Sequence, residues 1–73
     1  VKRIDRVVEF FDEVHVIDFK SGVKIFDDDM VVKEEYQRQI NQYVELVSKI
    51  FREKKIVGVI IDINGNIIFR MKN

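Results

Sequence analysis

Asp18 and Lys20 stand two positions apart at the end of Val14-His15-Val16-Ile17-Asp18-Phe19-Lys20, a segment rich in β-branched and aromatic residues. Asp5 stands in a similar segment, Arg3 to Phe10, and a short polar break at Asp12-Glu13 separates the two. This pattern predicts a β-hairpin with strands over about 3 to 10 and 14 to 20. A turn between Phe11 and Asp12 would set Asp5 opposite Asp18, and a turn at Asp12-Glu13 would set it opposite Lys20. Side chains alternate along a strand with a period of two, so either register leaves Asp5, Asp18 and Lys20 on one face of the sheet. A bulge of one residue would separate them.

Two adjacent carboxylates repel one another and are costly to ionise in a partly buried site unless a cation compensates. Hard oxygen ligands suit Mg²⁺ or Mn²⁺, which keep several waters and take one or two protein carboxylates plus a substrate phosphate. Such an ion polarises a phosphoryl oxygen and lowers the pKa of a bound water. Lys20, on the same face, could orient that water or stabilise developing negative charge. The competing reading is a solvated strand face on which Arg3, Arg6 and Lys20 balance Asp5 and Asp18.

The elements that must position these residues follow from the rest of the pattern. Residues 21 to 32 open on Ser21-Gly22, pass through Asp27-Asp28-Asp29 and show no sustained period, which predicts a loop with some extended character. Asp29 is a candidate cap for the helix that follows. From about Lys33 to Lys54, Tyr36, Ile40, Tyr43, Val44, Val47, Ile50 and Phe51 recur at spacings of three and four without Gly or Pro, the signature of a long amphipathic helix. Ile56 to Ile63 is a nearly continuous apolar run suited to a strand buried on both faces. Asn64-Gly65 then supplies a type I′ turn signal into a last strand over Ile67 to Met71. The expected fold is α/β, a mixed sheet in strand-strand-helix-strand-strand order with one long helix packed on it.

With 73 residues, 1–73 is expected to be a single partial domain, because domains usually run to roughly 100 to 200 residues. Its 47% hydrophobic content, with no Cys, predicts packing against further sequence or a second copy of the chain. The lack of Cys excludes a disulfide framework and a thiolate zinc site. No apolar run approaches the roughly 20 residues that span a bilayer, so the chain reads as soluble, cytoplasmic and without a membrane partner. Thirteen basic and thirteen acidic residues cancel, and charge alone does not point to nucleic acid.

Ile17-Asp18-Phe19-Lys20-Ser21-Gly22 resembles the acid-x-Lys-x-Gly motif of RecB-like nucleases, a branch of the PD-(D/E)xK superfamily. Arg3-Ile4-Asp5-Arg6-Val7-Val8 is similar to the preceding strand of that family, whose hallmark is Gly-x-hydrophobic-Asp, with Lys2 standing where the family has Gly. Tyr36-Gln37-Arg38-Gln39-Ile40-Asn41-Gln42-Tyr43 resembles its Gln-hydrophobic-x-x-Tyr signature, with Gln39 and Tyr43 at the diagnostic positions. Three motifs in the right order, from Arg3 to Tyr43, are more specific than any one of them.

The resemblance implies a partial restriction-endonuclease-like core and a Mg²⁺- or Mn²⁺-dependent deoxyribonuclease, a single-stranded DNA exonuclease. It implies Asp5, Asp18 and the Phe19 carbonyl as metal ligands, and Asp5, Asp18 and Lys20 as the catalytic group. Gln39 and Tyr43 would line the site or touch DNA. Spacing agrees with that last pairing, because residues four apart are neighbours on a helix face. A further His or acidic ligand is expected from an upstream helix, which has no counterpart in this sequence, so the fragment alone is expected to have an incomplete site. The implied partners are DNA and the helicase domain of an AddA- or RecB-like parent acting in double-strand break repair and recombination. The rival class is a non-catalytic interaction domain of the same fold, working through a sheet edge or helix face.

Three other groups are set aside. His15 lies three residues from Asp18 and so on the opposite strand face. Asp27 to Asp29 lack the alternating ligands and closing Glu of a calcium loop. Lys49, Arg52, Lys54 and Lys55 fit dipole compensation and solvation as well as phosphate contact.

Overall fold

The computed structural model describes residues 4–21 and 25–72. Its elements are β1 (Arg6–Glu9), β2 (Glu13–Phe19), α1 (Glu34–Ser48), β3 (Lys55–Ile61) and β4 (Ile67–Lys72). The four strands form one sheet in the order β1-β2-β3-β4. β2 and β3 run parallel and the outer pairs are antiparallel, so the sheet is mixed, with α1 lying between β2 and β3 in the chain. Parallel neighbours need such a crossover, because a tight turn cannot reverse the chain twice. Among the described residues no helix is long and apolar enough to cross a membrane.

Alternation in β2 sorts its two faces. Val14, Val16 and Asp18 are buried on one side, while Glu13, His15, Ile17 and Phe19 lie on the other. β3 is buried over Ile56 to Ile60, as its continuous apolar run predicts for a central strand. The helix turns Ile40, Tyr43, Val44 and Val47 toward Val14, Val16, Ile56 and Ile60, and Val32 completes the cluster. Each fully buried aliphatic side chain contributes about 1.5–3 kcal/mol relative to exposure. The helix lies close on the sheet at Gly58, where a Cβ would lie 2.7 Å from Val44 Cγ2 and 3.0 Å from Ile40 Cγ1.

Several boundaries differ from those expected from sequence. β1 begins at Arg6, so Asp5 sits on a bend just before the strand. The helix ends at Ser48 rather than near Lys54: Ile50 and Phe51 both donate to the Val47 carbonyl, and Ile50 is left 69% exposed. Apolar spacing continues past the last turn because Phe51 packs on the core from a non-helical segment. Asp29 does not cap α1. The N-cap is Lys33, with no side-chain hydrogen bond, and the acidic Glu34 and Glu35 complement the helix dipole instead. Asp27 organises the preceding loop, its Oδ1 accepting the amides of Asp29 and Val31, and Phe26 bridges to Val32.

The Asn64-Gly65 turn is not type I′, which needs positive φ at both residues. Gly65 has φ 82°, and among described non-glycine residues positive φ occurs at Met30. The Gly65 amide donates to the Asp62 carbonyl and Asp62 N donates to Asn66 O, closing a three-residue loop with Gly in the left-handed position. The Asp62 carboxylate favours this loop by accepting from the amides of Asn64 and Asn66.

Candidate functional site

The pairing of Arg6 with Ile17 and Glu9 with Val14 fixes the first hairpin turn at Phe11-Asp12, the register that points Asp5 toward Asp18. Phe10 N donates to Glu13 O across this turn, and the Phe10 carbonyl accepts from Lys54 Nζ at 2.8 Å. Lys54 also pairs with Glu9, so one of the basic residues after the helix serves to hold the hairpin.

Asp18 is the third inward residue of β2, after Val14 and Val16, and is 4% exposed. Its neighbour across the parallel ladder is Ile60. The Lys20 backbone is fixed to the same ladder through its amide, which donates to Ile61 O at 2.9 Å. Its side chain turns back along that face, placing Nζ 3.0 Å from Asp18 Oδ2. The contact is an ion pair. Lys20 Nζ also donates to Gln39 Oε1 at 2.9 Å and lies 4.8 Å from the centre of the Tyr36 ring. Gln39 Nε2 in turn donates to the hydroxyl of Tyr43 at 3.1 Å.

Asp5 enters from the bend before β1. Its Oδ2 accepts the Phe19 amide at 3.0 Å, which brings the second carboxylate beside Asp18. Burial raises the pKa of Asp18; Lys20 opposes that effect and the Asp5 carboxylate adds to it, for a net upward shift. A divalent cation would reverse the balance by stabilising both carboxylates. The donor set fits such an ion: two carboxylates meet beside the end of β2, one of them buried. Among the described residues no group of three or more His, Cys, Asp or Glu comes together, so the protein side chains would supply two carboxylates.

The structure therefore brings together Asp5, Asp18, Lys20, Gln39 and Tyr43, with Phe19 presenting its amide to Asp5 and its half-exposed side chain to the opposite face. Lys2, Arg3 and Gly22 of the sequence motifs lie outside the described residues. His15 is excluded from the site by alternation. Its Nε2 lies 3.0 Å from Glu13 Oε1 and its ring meets Phe10 edge-on. Asp27 to Asp29 are exposed in their loop.

Sequence reasoning treats Tyr36 as one more apolar helix position, yet its ring carries Lys20. The signal was present: Tyr36, Gln39 and Tyr43 follow the i, i+3, i+7 spacing of one helix face. Beside Lys20 this face opens a cleft of about 360 Å³ bordered by Glu35, Tyr36, Arg38, Gln39 and Gln42. No family model, curated protein or solved structure matches the chain.

Proposed function

We propose that the chain is part of a metal-dependent DNA nuclease of the RecB-like type, hydrolysing phosphodiesters with Mg²⁺ or Mn²⁺ on a partial restriction-endonuclease-like core. The parent would be a helicase-nuclease acting on single-stranded ends in double-strand break repair and recombination. One observation carries this reading most directly: a buried carboxylate beside Asp5, paired at 3.0 Å with a lysine that is itself held by a Gln–Tyr pair. A solvated strand face would leave Asp18 exposed, whereas it is 4% exposed.

In this reading Asp5 and Asp18 would hold the ion, with the Phe19 carbonyl as a further oxygen ligand. The bound ion would supply Lewis-acid polarisation of the phosphate and a more acidic water. Lys20, fixed by Gln39 and by the Tyr36 ring, would place a cation where charge grows on the phosphoryl oxygens. The Gln39 amide is engaged at both ends, by Lys20 and by Tyr43, so it acts on the lysine rather than as a free arm toward DNA. The cleft beside Lys20 would offer the strand a path past the site.

The test is a titration of Mn²⁺ into isotope-labelled protein, following paramagnetic broadening by residue, with Asp18→Asn as control. Broadening centred on Asp5, Asp18, Phe19 and Lys20, and abolished in the control, is expected. Broadening elsewhere, or none at millimolar Mn²⁺, would remove the metal site from this chain and favour the interaction-domain reading.

A further inference from the structure

The sheet has a second face, and the strand registers define it row by row. One row runs Val8, His15, Val57, Lys72; the next runs Arg6, Ile17, Val59, Arg70; the last runs Phe19, Ile61, Ile67. α1 packs on the other side, so no described helix covers these rows. Val57 and Val59 are already buried at the centre, but Phe19 is 50% exposed and Ile67 60%. These two flank the partly buried Ile61, and Ile17 extends the apolar surface into the arginine row.

The unpaired charges around this patch have one sign. Glu13, the acid of this face, is engaged by His15 and Lys72, which together lower its pKa. Arg6 and Arg70 are exposed and enter no ion pair among the described residues. They sit on the two outer strands of one row, three strand spacings apart, or roughly 14 Å. A helix with its side chains is about 10–12 Å wide and fits between them.

We propose that this face docks an amphipathic helix of a partner protein, with an apolar stripe seated on Ile17, Phe19, Ile61 and Ile67 and acidic residues on both flanks meeting Arg6 and Arg70. A nucleic acid fits less well, because the space between the arginines presents aliphatic and aromatic carbon rather than donors for phosphates. A second copy of this chain offers no matching helix. The apolar side of α1 is spent on its own core, and its outer side mixes Glu34, Arg38, Asn41 and Glu45.

The test uses a stapled helical peptide with a leucine stripe and glutamates on both flanks, the same peptide with lysines, and a DNA duplex. All three are titrated into isotope-labelled protein. The glutamate peptide should shift the amides of Ile17, Phe19, Ile61 and Ile67, and bind on the order of tenfold or more tightly than the lysine peptide. The double variant Arg6→Glu, Arg70→Glu changes two exposed side chains and should reverse that preference. Equal binding of the two peptides, shifts confined to the α1 face, or displacement of the peptide by duplex would each overturn the proposal. None of these outcomes depends on whether Asp5 and Asp18 bind Mn²⁺.

Discussion

The layer between α1 and the sheet has two ends built on different principles from the same elements. At one of them, Ile40 and Val44 close over Gly58, where the atoms nearest to a Cβ would be carbons of Val44, Ile40 and Met71. Toward the ends of β2 and β3, Tyr36, Gln39 and Tyr43 face Asp18 and Lys20 in a chain of polar contacts. Gln39 and Ile40 are consecutive, as are Tyr43 and Val44, so one helix serves both ends by presenting residues about 100° apart around its axis. β2 does the same along its length: alternation keeps Val14, Val16 and Asp18 on one face, with Val14 and Val16 at the dry end and Asp18 at the polar one. Burying a half-paired carboxylate costs up to several kcal/mol. The apolar end must supply the surplus that keeps the polar end assembled.

The largest break in this division is expected from Ile40→Ala, which removes a fully buried side chain beside Gln39. The loss should be about 2–5 kcal/mol in a denaturant titration, with the fold and the site lost together. Gly58→Ala attacks the same contact from the sheet side. Its Cβ would meet Val44 Cγ2 at 2.7 Å and Met71 Cγ at 3.1 Å, and the crowding should cost about 1–3 kcal/mol. Adding Val44→Ala makes room for the methyl group, so the double variant should be more stable than the two separate losses would predict. Simple additivity would show that the helix shifts away from the sheet rather than being held against it.

How far the sequence discloses this arrangement depends on the range of the interaction. Alternation in Val14 to Asp18 and the three-four spacing of Tyr36 to Val47 read directly, because burial acts on each element separately. They place Asp18 and His15 on opposite faces and Gln39 beside Tyr43, as observed. The register of the first hairpin was open between two turns, and parity made the choice immaterial to the shared face. The errors come from local backbone chemistry that apolar spacing does not report: Phe51 keeps the helical spacing after α1 has ended, and Asp62 builds a three-residue loop where Asn64-Gly65 signals a shorter one. Asp5 reaches the site through the Phe19 amide from outside the strand, a contact that no pattern of side-chain types encodes.

The polar end gives a smaller and oppositely signed effect. Asp18 has a folded-state pKa above its ordinary value, so the folded form keeps its proton to higher pH than the unfolded form. Below the ordinary carboxylate range both forms are protonated and the residue contributes nothing. As pH rises through the window up to the raised value, the unfolded form ionises first and stability falls, and the deficit persists above it. Asp18→Asn removes the charge, so without metal it should be more stable than the parent at neutral pH, a gain that vanishes in acid. Added Mn²⁺ should close the gap by stabilising the parent alone. His15→Ala supplies the contrast. It removes a partly exposed ring from the opposite face, so it should change stability by about 0.5 kcal/mol or less and leave the Mn²⁺ response intact. If His15→Ala weakens the Mn²⁺ response as much as Asp18→Asn does, the two faces of β2 are not separate, and alternation is not what isolates the site.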